Sequence, residues 1–502
     1  MILFLLIALL TLCASFVAAH AETEDTHTCG DFRYTIQPDD TATLTEYTGR
    51  AETLSIPPEL DGHAVTIIGR YAFRHCKSLV SLSIPEGVTG IDDFAFHDCT
   101  FLASLSLPDS LKSIGINPFT YCNDLTEFVL SPNHPFLEVV DNMLINKVEK
   151  KLIGCPYLLW LYFSPFRQKI SSGGTFSCAD FEQRITITLS DGLRSIGDYA
   201  FSECRVFASL IIPDTVTSIG DHAFSSCTYL SNLTLPDHLL SIGDFAFNRC
   251  YSLTRITIPN SVTHLGANPF RGCLHLESIC LSPDHSALGM IDDMLFSKVD
   301  GRLICLPRTS KQSQCILPRG ITSIGDSAFY NCTSVVSVAL SEGVTNIDDD
   351  AFYNCPSLTN ISLPNGLTRI GRAAFLNCTS LSDMPLPESV TDIGAFAFSG
   401  CELLPSLTLP GGITSINEHT FYGCSSLADI RVPEGVTSIG FWAFKECESL
   451  QNVTLPKSLT EIDDDAFCDC SPALRFTVAR GSWAENWCVR RHAAYGFSDE
   501  NE

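Results

Sequence analysis

Basic residues are scarce in this chain of 502 residues. It contains 31 lysines and arginines against 57 aspartates and glutamates, which gives a net charge of -26 at pH 7. The few basic residues form no cluster. A chain with this charge is soluble and is repelled by nucleic acid and by anionic membranes. The composition therefore predicts that neither is a partner.

The common enzyme motifs are also missing. The chain has no G-x-S-x-G, no H-E-x-x-H, no glycine-lysine phosphate loop and no dinucleotide-binding glycine pattern in a strand-helix context. It has no C-x-x-C pair, and its 13 histidines are scattered. The sequence therefore predicts no catalytic residue, no cofactor and no metal site.

Long apolar runs are absent after the first residues. The run from Ile2 to Leu12, followed by small residues at Ala19 to Ala21, predicts a secretory signal peptide over residues 1–21. The run falls short of the ~20 residues of a spanning helix, and the C-terminal AAYGFSDENE carries no lipidation motif. We expect a secreted or cell-surface (extracellular or periplasmic) product without a transmembrane segment.

An internal repeat of 23 residues dominates the chain. Its unit reads L-x-x-I-x-I-P-x-x-V-T-x-I-G-D-x-A-F-x-x-C-x-x-L. The phenylalanine of the unit lies at 73, 96, 119, 201, 224, 247, 270, 329, 352, 375, 398, 421, 444 and 467. The alternating L-x-x-I-x-I predicts a strand, and the Ala, Phe, Cys and Leu spacing fits one face of a two-turn helix. The pattern predicts an α/β solenoid, with one short parallel strand and one short helix per repeat.

Two positions of the repeat that precede the phenylalanine indicate the backbone geometry, and we call the residues at one repeat position a column. The position four before it is glycine in most units but Asp92, Asp348, Asn417 or Asp463 in the others. Because these residue types tolerate left-handed backbone, we expect a positive φ there. The next position is often aspartate, which predicts a helix N-cap. The triple aspartates 348–350 and 463–465 are therefore repeat columns rather than a calcium loop, whose ligands alternate with other residues.

Fourteen of the 23 cysteines are the cysteine of this unit. We call each repeat of the stack a rung. Adjacent rungs would bring their thiols close enough for disulfides, so disulfides between rungs are one alternative. Their column beside Phe and Leu favours buried free thiols. Five N-x-S/T sequons, at Asn232, Asn331, Asn360, Asn377 and Asn452, are either glycan sites or products of the repeat.

The unit resembles the 23-residue Treponema-type leucine-rich repeat of the BspA-like family of surface proteins. The resemblance covers about residues 45 to 480 and extends to the entry segment "YTIQPDD" and the closing segment "GSWAENWCVRRHAAYGF". It implies capped ends. The predicted organisation is the signal peptide 1–21, an N-terminal cap 22–62, repeats at 63–130, 191–281 and 311–476, and a C-terminal cap helix and tail 477–502.

The repeat is interrupted twice by copies of one insert. Residues 117–156 and 268–307 align at a constant offset of 151 residues. Each insert has apolar segments around a polar turn, which predicts a β-hairpin at 131–160 and another at 282–310. A degenerate repeat, with Cys178 in the phenylalanine column, is predicted at 161–190.

A solenoid of this kind offers an extended surface, and its outward strand residues are the expected recognition face. Small polar residues dominate that face in this sequence. The predicted binding residues are Asn232, Thr234, Arg255, Thr257, Asn360, Asp383, Asp429, Arg431 and Asn452.

The resemblance implies a non-enzymatic adhesion and interaction protein with protein or glycan partners, host matrix proteins among them. A repeat scaffold associated with an extracellular glycan-processing enzyme and a structural envelope protein are the alternatives.

Overall fold

The computed structural model of the protein describes residues 26–155, 185–205 and 207–498. The predicted signal peptide and most of the predicted degenerate repeat lie outside these residues. The described residues divide into two compact units, 26–149 with 153–155 and 150–152 with 185–205 and 207–498. In each unit parallel strands of successive repeats stack on one another, as expected for a solenoid.

In the first unit the chain enters through an antiparallel sheet and continues into two parallel ladders. The entry sheet is continuous with the ladder of V-T-x-I strands. The L-x-x-I-x-I strands form the other ladder. The strands are Thr26–Cys29, Phe32–Ile36, Ala42–Tyr47, Thr53–Ser55, Glu59–Leu60, His63–Ile68, Ser81–Ser83, Gly90–Ile91, Ser104–Ser106, Ser113–Ile114, Glu127–Val129, Leu137–Val140 and Met143–Asn146. Lys151–Gly154 is the strand at which the two units divide.

The second unit repeats the two ladders. The L-x-x-I-x-I strands, which we call the face strands, are Ile185–Thr188, Phe207–Ile211, Asn232–Thr234, Arg255–Thr257, Ser278–Cys280, Gln314–Ile316, Ser337–Ala339, Asn360–Ser362, Asp429–Arg431, Asn452–Thr454, Arg475–Val478 and, as a closing strand, Tyr495–Phe497. The V-T-x-I strands are Ser195–Ile196, Ser218–Ile219, Ser241–Ile242, His264–Leu265, Ser323–Ile324, Asn346–Ile347, Arg369–Ile370, Asp392–Ile393, Ser415–Ile416, Ser438–Ile439 and Glu461–Ile462.

Antiparallel hairpins lie at both inserts. The first pairs Leu137–Val140 with Met143–Asn146, and the second pairs Leu288–Ile291 with Met294–Ser297 before the chain returns as Arg302–Cys305. A buried histidine anchors each hairpin in the same way. The Nε2 of His134 lies 2.9 Å from the carbonyl oxygen of Pro108, and that of His285 lies 3.1 Å from that of Pro259.

The predicted helix in each repeat is wrong, because the segment from Gly to Cys is a run of turns. In the repeat of Phe352, the N–H groups of residues 350, 352 and 354 donate to carbonyls one rung later, while those of 351 and 353 donate three residues back. Asp350 and Asn354 have φ of 54°, which no helix contains. Alternate N–H groups therefore serve the neighbouring rung. Among the described residues the one α-helix is Trp483–Arg491.

In most repeats a left-handed residue lies two before and another two after the phenylalanine, and the glycine column has ordinary φ. Where the column holds glycine, that residue lies close against the backbone of the preceding rung. A Cβ on Gly394 would lie 2.5 Å from the backbone nitrogen of Arg372, one rung earlier. The expectation of positive φ at this column was therefore wrong, and close approach of rungs is the reason for the glycine.

The aspartates that follow the glycine column form hydrogen bonds between rungs and do not cap a helix. Oδ1 of Asp198 accepts the backbone N–H of Asp221 at 2.9 Å, and Oδ1 of Asp221 accepts that of Asp244 at 2.7 Å. The same contact joins Asp349 to the N–H of Arg372 at 2.9 Å. The predicted N-cap was therefore wrong, although the preference for aspartate has a similar cause. In these rungs the carboxylate satisfies a backbone donor that the turn leaves open.

The core consists of stacked like residues. The phenylalanine rings of successive rungs are parallel, with centroids 4.7 Å apart between Phe329 and Phe352 and 5.1 Å apart between Phe352 and Phe375. Most of the repeat cysteines donate their thiol to a carbonyl of the preceding rung, as when Cys355 donates to the carbonyl of Phe329 at 3.0 Å. Burial raises the pKa of Cys424 to about 12. The described cysteines are free thiols, so this column acts as a set of neutral hydrogen-bond donors.

Aromatic residues cover both ends of the repeats. The ring of Tyr47 lies 5.4 Å from that of Phe73 in the first unit. In the second unit Trp487, on the one helix, lies 5.5 Å from Phe476. Ser482 caps that helix by accepting the N–H of Glu485 at 3.1 Å. The first and last rungs are thereby shielded from water.

Candidate functional site

The face strands place one buried residue between two exposed ones. In Arg255–Thr257 the middle Ile256 is buried while Arg255 and Thr257 are exposed, and Asp429–Arg431 has the same pattern. This follows from the two-residue period of a strand whose inner side meets the stacked core. The outer side of the second unit is therefore a surface of side chains held in columns, which we call the strand face.

All nine predicted binding residues are exposed on this strand face. They belong to four separate groups of strands. Asn232 and Thr234 end one sheet, and Arg255 and Thr257 lie in a two-stranded one. Asn360 and Asp383 form a parallel β-bridge through their backbones. The strand of Asp429 and Arg431 pairs with that of Asn452. The structure thus places these residues on one side of their strands without gathering them into a pocket. Their role in binding stays a prediction.

Contacts between neighbouring face residues are few. The Asn452 side-chain amide donates to the carboxylate of Asp429 at 2.5 Å, and Arg255 Nε donates to the sulfur of Cys280 at 3.1 Å. Exposed apolar side chains interrupt the polar columns at Ile211 and Ile316, which are 52% and 73% exposed. Such a mixed, shallow surface suits contact with a large partner better than enclosure of a small molecule.

The turns carry a second feature, a stripe of aromatic side chains two residues before the core phenylalanine. The ring of Phe396 stacks on His419 at 4.3 Å, and the ring of Trp442 lies 5.3 Å from His419. The Lys445 ammonium lies 3.7 Å from the centre of the Trp442 ring. The column of Tyr, Phe, His, Ser and Trp is visible in the sequence, but its letters alone do not show that the side chains form one stripe.

His419 gives this stripe a predicted pH dependence. Burial, with Lys445 and Arg372 nearby, lowers the pKa of His419 to about 4. Because an unfolded histidine has a pKa of ~6.5, stability should be lost as the pH falls from about 6.5 towards 4. His419→Phe places in this column the residue found at Phe396. Thermal unfolding from pH 7 to 4.5 should show a smaller fall of Tm for this variant than for the wild type. An equal fall would contradict this role of His419.

A third feature is a cleft of about 300 Å³ in the second unit, beside the second hairpin. It is lined by acidic and basic side chains, one histidine and two small residues, namely Asp244, His264, Gly266, Ala267, Arg302, Asp326, Asp348, Asp349 and Arg369. No group of three or more His, Cys, Asp or Glu in the described ranges is arranged to hold a metal ion. No single motif of the sequence marks this cleft, since it combines residues from five repeats and an insert.

The described parts of the chain contain no helix long and apolar enough to cross a membrane. The family model for the BspA type leucine rich repeat region matches residues 47–147, 172–300, 305–428 and 391–481, with six copies. The chain therefore belongs to the BspA-type leucine-rich repeat family, which confirms the resemblance predicted from the sequence. No curated protein matches the chain.

Several solved structures are similar to this chain. A leucine-rich cell surface protein of Faecalibacterium prausnitzii A2-165 is 25% identical over 94% of this chain and 98% of its own, with a TM-score of 0.35. A leucine-rich repeat protein of Eubacterium ventriosum is 19% identical over 88% and 93%, with a TM-score of 0.48. The pneumococcal vaccine antigen PcpA is 17% identical over 95% and 99%, with a TM-score of 0.41.

Proposed function

We propose that the protein is a non-enzymatic, secreted or cell-surface interaction protein that uses its strand face for adhesion to protein or glycan partners. The observation that carries this proposal is the strand face itself, in which alternate residues are exposed along four groups of strands of one unit. Membership of a family of surface repeat proteins supports it.

The charges of the strand face provide the test. Arg255 lies in one face strand, Asp429 and Arg431 lie in another, and all three side chains are exposed. The triple variant Arg255→Glu, Asp429→Lys, Arg431→Glu reverses these charges while leaving the buried Ile256 and Ile430 in place. Because complementary charges set association rates and register, we expect at least a tenfold loss of affinity for a partner of the strand face. Binding of the mature protein to a panel of extracellular-matrix proteins and a glycan array identifies that partner.

A matched control changes the same number of charges outside the strand face. Arg194, Asp237 and Arg319 are exposed and lie outside the face strands. The variant Arg194→Glu, Asp237→Lys, Arg319→Glu has the same net charge as the strand-face variant and should bind like the wild type. Uniform absence of binding across both panels, or equal loss in the two variants, would contradict the proposal.

A further inference from the structure

The rung formed by the returning strand of the second hairpin is incomplete. Leu306 takes the place of the core phenylalanine there, since its N–H donates to the carbonyl of Ala328 and its own carbonyl accepts the thiol of Cys332. The chain then turns away at Pro307 without the usual run of turns. Side chains from the rung before reach across to the rung after. Asn268 donates to the carbonyl of Ser327 at 2.7 Å, and Arg271 to Asp350 at 2.9 Å.

The cleft of about 300 Å³ lies at this incomplete corner. Gly266 and Ala267 line it from the last rung before the insert, and Asp326, Asp348 and Asp349 line it from the rungs after. The guanidinium of Arg302 donates to the carbonyls of Leu265 and Gly266, at 2.7 and 3.3 Å. In a complete stack the following rung would satisfy the carbonyl of Leu265, as the N–H of Gly266 satisfies that of Ile242. The cleft is thus the space that the missing turns would fill.

Asp326 differs from the other aspartates of its column. In complete repeats the carboxylate reaches past a glycine to the next rung, as Asp349 reaches past Gly371 to the N–H of Arg372. After Asp326 the glycine position holds Asp348. Among the described residues the carboxylate of Asp326 has no hydrogen-bond or ion-pair partner. The next residue, Ser327, is fully buried and its hydroxyl also lacks a partner in the described part of the chain.

The arginine side chains near Asp326 already have other hydrogen-bond or ion-pair partners. Arg369 contacts Asp349 at 3.0 Å, Asp392 at 3.2 Å and Asp348 at 3.4 Å. Arg302 is held by backbone carbonyls and by Asp300, and Arg271 by Asp350. The other groups that face the cleft are Asp244 and His264. Burial, together with Asp350, Asp349 and Asp348, raises the pKa of Asp326 to about 7. The cleft therefore has more carboxylates than cations and one carboxylate without a partner.

We propose that this cleft receives a basic side chain, the guanidinium or ammonium group of an arginine or lysine in a partner polypeptide. The cavity is open to solvent, and Asp326 would accept the incoming N–H donors in a charge-assisted hydrogen bond. This inference does not depend on the strand face. Because a cation favours the ionised carboxylate, binding should strengthen as the pH rises through about 7.

The test measures binding of acetyl-Gly-Arg-Gly-amide to the full-length protein by microscale thermophoresis at pH 5.5 and 8. The isosteric citrulline peptide, which lacks the charge, is the ligand control, and the lysine peptide is a second arm. At pH 8 we expect the arginine peptide to bind at least tenfold more tightly than the citrulline peptide, and tenfold more tightly than at pH 5.5.

Four variants locate the effect. Asp326→Asn removes the carboxylate, and Ala267→Phe fills the cleft while leaving every charge in place. Asp348→Gly restores the column glycine, so that Asp326 can reach the next rung as Asp349 does. Each should lose at least tenfold in affinity at pH 8, while Asp198→Asn, in the same column of a complete rung, should bind like the wild type. Circular dichroism and Tm report whether each variant is folded.

Equal binding of the arginine and citrulline peptides would overturn the proposal. So would unchanged affinity in folded Asp326→Asn or Ala267→Phe. Unchanged affinity in Asp348→Gly would refute the role of Asp348 in leaving Asp326 without a partner. The triple strand-face variant should keep wild-type affinity for the arginine peptide, so that failure of the strand-face proposal and failure of this one give different results.

Discussion

Phe352→Ala should lower the free energy of unfolding by about 3–5 kcal/mol, the range for deleting a fully buried aromatic ring. Phe352 has no exposed surface, and its ring stacks between those of Phe329 and Phe375. The rungs on both sides keep their own hydrogen bonds to the turns of this repeat, so the space left by the ring cannot readily collapse. Urea unfolding followed by circular dichroism measures the loss.

The same substitution at an exposed phenylalanine is the control. Phe101 is 54% exposed, so Phe101→Ala should change the free energy of unfolding by less than about 1 kcal/mol. A loss of less than 1 kcal/mol in Phe352→Ala as well would show that the stacked phenylalanine column is not the main source of stability in this repeat.

Gly394→Ala should destabilise the protein by about 1–3 kcal/mol through overpacking. Its added Cβ would lie 2.5 Å from the nitrogen of Arg372 and 2.6 Å from the carbonyl carbon of Gly371, both backbone atoms of the preceding rung. Backbone atoms cannot rotate away, so the two rungs must separate. Thermal and urea unfolding of the variant measure the cost.

Gly366→Ala provides the contrast, because its new Cβ would meet nothing closer than the carbonyl oxygen of Glu342 at 3.8 Å. This variant should be as stable as the wild type or slightly more so, since alanine restricts the unfolded chain. If the two variants were equally stable, the spacing between rungs would not be what requires glycine at position 394.

The strands and the buried columns were predictable from the sequence. Burial leaves little freedom at positions such as Phe352 and Cys355, so the 23-residue period and its apolar letters indicate directly which residues meet in the core. The face strands follow from alternation, which is why the predicted residues Asn232, Arg255 and Asn360 are exposed.

The turns were not predictable in the same way. A spacing of three and four residues suits one helical face, but it also suits consecutive turns whose N–H groups bond three residues back. The deciding fact is that alternate N–H groups, such as that of Phe352, bond to the next rung. That is a property of two repeats together. A sequence does not distinguish a glycine required by close packing from a glycine required by a positive φ. The sequence therefore gave the wrong reason for glycine at position 394.

The cleft required information from distant parts of the chain. The sequence shows that Asp348 replaces a column glycine and that an insert interrupts the repeat after Phe270. It does not show that these two departures meet at one corner, where Asp326 is left without a partner. The two departures meet because the strand that begins at Arg302 rejoins the stack after the hairpin and forms a shortened rung. The hairpin pattern alone does not reveal this return.

Photo-crosslinking to a bound partner tests the proposed use of the strand face most directly. Benzoylphenylalanine at position 257, on the face, and at position 237, outside it, would each be introduced into the mature protein bound to the partner found in the binding panel. The account predicts efficient crosslinking from position 257 and little from position 237. Crosslinks from position 237 with none from position 257 would contradict it.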